Sequence, residues 1–70
     1  MTNFSDRLHE LRILNNIKQS EISSLLGITD RQVRKYEYGD AVNPKMDTLI
    51  ALADFFNVSL DYLVGRSDEK

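Results

Sequence analysis

The stretch DRQVRKYEY, residues 30–38, has long side chains that donate hydrogen bonds at four of the five positions from 31 to 35. These four are Arg31, Gln32, Arg34 and Lys35. Guanidinium and ammonium groups bind phosphate oxygens, and one arginine can donate two bonds to a guanine base. The alternative is that the four side chains only solvate one face of a helix. Deciding between the two requires the elements that position this stretch.

No other part of the sequence has the residues of a catalytic or metal site. His9 is the only histidine and the chain has no cysteine, whereas a zinc site or a catalytic triad needs several such side chains. The carboxylates are scattered and mostly begin helices, and no glycine-rich phosphate loop is present. We therefore predict no enzyme activity, no metal, no cofactor and no small-molecule ligand.

Length and composition indicate one small globular domain. The chain has 70 residues, of which 41% are hydrophobic and 29% charged, a balance typical of a folded protein. No run approaches the roughly 18 apolar residues of a membrane span, and the first residues do not resemble a secretory signal. The absence of cysteine suits a reducing compartment. We expect a cytoplasmic protein.

The charge is distributed unevenly along the chain. The net charge is −2, which by itself does not favour binding to nucleic acid. Residues 18–45, however, carry five cations against four anions, whereas residues 46–70 carry two cations against five anions. The acidity therefore lies in the C-terminal third, and the middle of the chain is mildly basic.

Apolar residues recur at helical spacing almost throughout the chain, which predicts an all-α domain. Phe4, Leu8 and Leu11 mark a first helix over residues 5–15, with Ser5 as its N-cap. The sequence predicts four further helices: Gln19–Leu26, Asp30–Tyr38, Met46–Phe56, and a short fifth helix that begins after its N-cap Ser59 and ends at Gly65. We expect the domain to cover residues 1–66 and the charged tail, residues 67–70, to be frayed.

The second and third helices are joined so tightly that they must cross steeply. Only Gly27 and Ile28 separate them, and Thr29 can cap the third helix. Ser23 is small where the two helices approach. This is the helix-turn-helix arrangement, here over about residues 19–38. Its predicted inner seam consists of Ile22, Leu26, Ile28, Val33 and Tyr36.

These elements resemble the Cro and lambda-repressor type of helix-turn-helix regulator. The similar segments are RLHELR (7–12), IKQSEISSLLGITDRQVRKYEYG (17–39), NP (43–44) and TLIALADFFNVSLDYLVG (48–65). The resemblance implies a compact five-helix domain that binds double-stranded DNA as a homodimer on a palindromic operator, with the third helix in the major groove. It implies a prokaryotic or phage transcription regulator, and we expect a phage- or mobile-element-type repressor.

The resemblance also implies roles for individual residues. The family's base-reading positions correspond to Asp30, Arg31, Gln32, Arg34 and Lys35. Its phosphate-binding positions correspond to Gln19, Asn43 and Lys45, to which Lys18 adds a cation. Its interior ion pair corresponds to Arg12 and Glu37, and its dimer contact to Phe55, Leu60, Tyr62 and Val64.

Three positions differ from the usual pattern of the family. Ser23 lies where alanine is common, Lys18 lies where serine or threonine often caps the second helix, and Asp30 is acidic where a neutral or basic residue is common. Asp30 can accept from a cytosine amino group, or it can cap the helix and repel phosphate. The acidic net charge also keeps a second function open, that of a protein-interaction module such as an antitoxin-like or adaptor domain.

Overall fold

Five α-helices make up the regular structure of the part of the chain that a computed structural model describes, residues 3–38 and 44–70. They are α1 (Phe4–Leu14), α2 (Gln19–Leu26), α3 (Asp30–Tyr38), α4 (Met46–Phe56) and α5 (Leu60–Leu63). The all-α prediction is confirmed. Within the described residues, no helix has both the length and the apolar content needed to cross a membrane.

Helix α1 begins one residue earlier than the sequence indicated. Asn3, not Ser5, is its N-cap, because Asn3 Oδ1 accepts a hydrogen bond from the Asp6 backbone at 2.9 Å. Ser5 lies inside the first turn and is buried. At the other end, Asn16 adopts a left-handed φ of 56°, and the Ile17 backbone N–H donates to the Arg12 carbonyl at 2.9 Å. Asn16 therefore provides the left-handed turn by which the chain leaves α1.

Helices α4 and α5 are separated by a similar left-handed residue. Asn57 has a φ of 56° and ends α4, because asparagine tolerates this conformation better than most residues. Ser59 Oγ then accepts from the Tyr62 backbone at 3.0 Å and caps α5. The left-handed turn at Asn57 and the cap at Ser59 thus set the direction of α5, which packs against α4 and α1.

One hydrophobic core joins all five helices. Both α1 and α2 pack extensively on α3, while α5 contacts α4 and α1. Burying these apolar surfaces together supplies the stability that such short helices lack alone. The core residues are Leu8, Leu11, Ile22, Val33, Leu52, Ala53, Tyr62 and Leu63. Of the predicted seam, Ile22 and Val33 are in this core, and Leu26, Ile28 and Tyr36 pack against it half-buried.

The C-terminal tail is attached to the domain, which differs from the frayed segment expected from its sequence. The Ser59 backbone N–H donates to the Lys70 carbonyl at 2.8 Å. Arg7 Nη2 donates to Asp68 Oδ1 at 2.8 Å and to the Ser67 carbonyl at 3.3 Å. Composition alone missed these contacts because they come from residues far away in the sequence.

Candidate nucleic-acid interface

The turn between α2 and α3 fixes where α3 begins. Gly27 has a left-handed φ of 68°, and a Cβ there would meet no atom within 4 Å. Glycine is therefore favoured by the backbone conformation and not by lack of space. The Ile28 backbone N–H donates to the Ser23 carbonyl at 3.0 Å, which closes the end of α2.

One face of α3 is held inside the protein. Val33 is fully buried and Glu37 is 5% exposed. Tyr36 is half-buried, and its ring meets the Phe4 ring edge-on with centroids 6.1 Å apart. These contacts fix the rotation of α3 about its axis, so they determine which residues point outwards.

The opposite face of α3 carries three exposed cations. Arg31, Arg34 and Lys35, together with Tyr38, line an open concavity of about 350 Å³. None of the carboxylates that the structure describes lies within ion-pair distance of these cations. The concavity therefore presents positive charge and hydrogen-bond donors that are free to bind an anionic or acceptor-rich surface.

Gln32, predicted to face the ligand, is part of the cap of α3. Its Oε1 accepts from the Thr29 backbone N–H, and Thr29 Oγ1 accepts from the Gln32 backbone N–H, each at 3.2 Å. This reciprocal pair is a capping box. The sequence contained the signal, since TDRQ (29–32) has the required spacing; Gln32 is nevertheless exposed, and its base-reading role stays a prediction.

Two of the positions that differ from the family pattern contact each other. Ser23 Oγ lies 2.5 Å from Asp30 Oδ1 and 2.9 Å from the Ser20 carbonyl, with a single proton to share between these acceptors. Ser23 is 7% exposed. The bond joins α2 to the first residue of α3, so Asp30 Oδ1 is engaged by Ser23 although Asp30 itself is exposed.

Glu37 joins three helices through one buried carboxylate. Arg12 Nε donates to Glu37 Oε2 at 2.6 Å and Arg12 Nη2 donates to Oε1 at 3.0 Å. His9 Nδ1 lies 2.9 Å from the same Oε1, and Gln19 Nε2 lies at 3.5 Å. The Glu37 side chain has no exposed surface and that of Arg12 is 13% exposed. The carboxylate thus connects α3 to α1 and α2.

The sequence missed the role of His9, which we considered only as a metal ligand or a triad member. His9 and Arg12 are three positions apart on α1 and share a face, so the spacing could have indicated a common partner. Because an ionised carboxylate only accepts hydrogen bonds, the His9 contact requires a proton on Nδ1.

The surroundings of Glu37 favour its ionised form. Burial on its own raises the pKa of the carboxyl. Hydrogen bonds from Arg12 and His9, the charge of Arg12 and the bond from Gln19 outweigh this effect and hold the pKa below its ordinary value of 4.5. Glu37 is therefore charged near neutral pH, and its negative charge is compensated inside the domain.

The predicted phosphate-binding residues lie at helix starts. Lys18 precedes α2 and Lys45 precedes α4; both are exposed, and neither side chain caps its helix. The N–H groups at a helix N-terminus favour an anion, so each lysine adds charge at such a position. Gln19 is half-buried and its amide contacts Glu37. Asn43 lies outside the described residues.

The predicted dimer residues differ in exposure. Phe55 and Leu60 are 42% and 38% exposed, and Val64 is half-buried. Tyr62 is 3% exposed, because its ring packs in the core beneath the Arg7 guanidinium, which lies 3.9 Å from the ring centroid. The prediction that Tyr62 contacts a second subunit is therefore wrong for this fold.

Comparison with known proteins agrees with this geometry. A family model described as Helix-turn-helix matches residues 8–63, which include α2, α3 and most of the core. The chain belongs to the helix-turn-helix family. The match confirms the resemblance drawn from the sequence, and the helix-turn-helix regulators that the chain matches are DNA-binding proteins without enzymatic activity.

Individual relatives support the same assignment. The cryptic phage CTXphi transcriptional repressor RstR of Vibrio cholerae is 31% identical over 65 residues, covering 93% of this chain and 58% of that protein. A transcriptional regulator from Listeria innocua has a TM-score of 0.86 and 34% identity, covering 96% of this chain and 62% of that one.

A further solved structure, the P22 c2 repressor in complex with a synthetic operator, has a TM-score of 0.84 and 21% identity. The structural alignment covers 96% of this chain and 100% of the P22 repressor chain. At this identity the likeness shows the fold alone. This helix-turn-helix chain spans between 48% and 58% of the length of the first three Bacillus subtilis regulators that it matches. Its family membership supports DNA binding in transcription regulation.

Proposed function

We propose that this domain binds a specific operator as a two-fold dimer and represses transcription, with α3 in the major groove. The observation that carries the proposal is the cluster of Arg31, Arg34 and Lys35 on the exposed face of α3. The buried face of the same helix is fixed by Val33 and Glu37. A rigid helix with free donors on one face matches what base recognition requires.

Phosphate contacts would supply most of the affinity. Lys18 and Lys45 lie at the starts of α2 and α4, where the backbone already favours anions. The acidic C-terminal third of the chain would face away from the DNA, because phosphates repel it. Since operator DNA in bacteria and phage-infected cells is cytoplasmic, we propose that the protein acts there.

A dimer would double the number of contacts and match the symmetry of a palindromic site. Half-sites about one helical turn apart, ~34–36 Å, are expected for this class of domain. The exposed Phe55 and Leu60 lie at the end of α4 and the start of α5, where two such apolar side chains are suitable for a contact between subunits. The phage repressor RstR among the relatives supports the repressor role.

The proposal is tested by binding-site selection from random DNA, followed by fluorescence anisotropy with the selected operator. We expect affinity to fall steeply as salt rises, because bound phosphates release counterions. Arg31→Ala should weaken operator binding by roughly 5- to 150-fold if the side chain contacts a base. Arg66→Ala removes the same charge from an exposed position after α5 and should change binding less than about twofold.

Two results would contradict the proposal. One is binding that does not depend on salt, and the other is operator affinity that survives the combined Arg31→Ala and Lys35→Ala changes. Either would favour the protein-interaction module, for which the net charge of −2 is the motivating observation.

The dimer is tested separately with Phe55→Glu. This change places a charge on the proposed contact, and we expect it to abolish cooperative binding to the full operator. Binding to a single half-site should change little. Cooperative binding to the full operator that is unchanged in the variant would exclude Phe55 from the interface.

A further inference from the structure

We propose that α3 reads guanines, because its exposed cations can only donate hydrogen bonds, while Asp30 Oδ1 and Gln32 Oε1 at the start of α3 already accept bonds from within the domain. This inference rests on the proposed function and adds the chemical class of base that the site recognises. It depends on which atoms of Asp30 and Gln32 are occupied and on which side chains remain free.

The cap of α3 competes with the DNA for the acceptor that Gln32 would need to read adenine. A glutamine recognises adenine by accepting from N6 and donating to N7 at the same time. In this structure Gln32 Oε1 accepts from the Thr29 backbone N–H at 3.2 Å. Breaking that bond would leave a helix-terminal N–H without its cap, so the bond holds the exposed Gln32 amide with one lone pair of Oε1 occupied and Nε2 free to donate.

Asp30 is held in a similar way. An aspartate reads cytosine by accepting from the N4 amino group. Here Asp30 Oδ1 receives the hydroxyl of Ser23, which is nearly buried on α2. Ser23 is therefore a positioning residue, because it draws the Asp30 carboxylate towards α2 and away from the bases.

The three cations on the exposed face can only donate. Arg31, Arg34 and Lys35 line the concavity, and arginine and lysine have no acceptor atom. Guanine is the base that presents two acceptors, O6 and N7, and no donor on its major-groove edge. A forked guanidinium among these cations is complementary to that edge.

The first experiment is selection of the operator by the wild-type domain, followed by replacement of each guanine with 7-deazaguanine, which lacks the N7 acceptor. We expect at least one guanine in each half-site at which this replacement weakens binding about tenfold. The Arg31→Ala variant should be insensitive to the same replacement, since the partner of N7 is then missing. Arg34→Ala serves as the matched control and should lower affinity equally for both operators.

The second experiment tests the engaged acceptor of Asp30. Asp30→Asn should select the same operator sequence as the wild type. Ser23→Ala keeps a small side chain but releases Asp30; we expect it to weaken operator binding severalfold at low salt, and the added Asp30→Asn change should restore it. Thermal unfolding of each variant separates this effect from loss of folding.

The outcomes distinguish this inference from the proposed function. A selected operator whose binding ignores every 7-deazaguanine replacement overturns guanine reading, and so does a changed selected sequence for Asp30→Asn. Unaltered operator binding by Ser23→Ala overturns the positioning role of Ser23. Failure to select any operator contradicts the proposed function itself.

Discussion

Glu37→Gln is the change that most directly tests how α3 is anchored. Glutamine keeps the shape of the side chain and one acceptor oxygen, but it removes the charge that holds Arg12. The Arg12 guanidinium would stay 13% exposed, facing a neutral amide in place of two carboxylate oxygens at 2.6 and 3.0 Å. His9 would lose an ionised acceptor at the same time.

The expected loss in the free energy of unfolding is large for a domain of this size. Breaking a buried ion pair by removing one partner costs about 3–5 kcal/mol. The remaining amide oxygen offsets part of this loss, so we expect about 3 kcal/mol for Glu37→Gln. A domain of this length has a total free energy of unfolding of roughly 4–10 kcal/mol. Arg12→Lys, which keeps the charge but loses the forked geometry, provides a milder second variant.

The pH dependence gives an independent measurement of the same pair. Because the pKa of Glu37 is lowered in the folded state, its contribution to stability is fully present above its ordinary value of 4.5. The contribution is lost as pH falls through the lowered pKa. Urea denaturation from pH 7 down to pH 3 should show this loss of unfolding free energy in the wild type. In Glu37→Gln, the share of the loss that comes from protonating Glu37 should be missing.

An exposed carboxylate on α1 supplies the control. Glu10→Gln should change the free energy of unfolding by no more than about 0.5 kcal/mol, as is usual for surface positions. The reasoning is refuted if Glu37→Gln costs no more than Glu10→Gln at pH 7. It is also refuted if both variants keep the pH dependence of the wild type below pH 4.5.

Three further changes test the local signals that shape the fold, each measured by urea denaturation. Gly27→Ala should cost about 1–2 kcal/mol, because the φ of 68° disfavours a side chain although no atom obstructs the Cβ. Thr29→Ala should cost about 0.5–2 kcal/mol by removing the hydroxyl that caps α3. Asn57→Ala should cost about 1 kcal/mol, since alanine tolerates the left-handed φ of 56° less well. No loss at Gly27 or Asn57 would contradict the strain assigned to these turns.

The sequence predicted the helices whose ends depend on local signals. The bounds of α2 and α3 agree with prediction because Gly27 and Thr29 act on their immediate neighbours. The start of α1 was placed wrongly because Asn3 and Ser5 are both good capping residues. Only the packing of the first turn, which buries Ser5, decides between them.

The side chains at the site were harder to predict than the helices. The contact of His9 with Glu37 joins positions 28 residues apart and depends on how α1 packs on α3. Tyr62 was assigned outwards because α5 has four residues, too few for periodicity to separate its faces. Arg7 covers the Tyr62 ring but lies on α1. The sequence around α5 therefore contains no indication of this contact.

The distribution of charge sets a limit on how DNA binding can depend on salt. Five cations lie in residues 18–45, namely Lys18, Arg31, Arg34, Lys35 and Lys45. If all five contact phosphates, the slope of log affinity against log salt reaches about −4.5 for one domain and about −9 for a dimer. Each cation that reads a base instead makes the slope shallower, so guanine reading by Arg31 predicts a dimer slope nearer to −7.

Arg31→Ala should then weaken binding and leave the slope almost unchanged, whereas Lys45→Ala should reduce the slope by about one unit per domain. A slope steeper than −9 would require phosphate contacts from cations outside this segment, which the acidic C-terminal third makes electrostatically unfavourable.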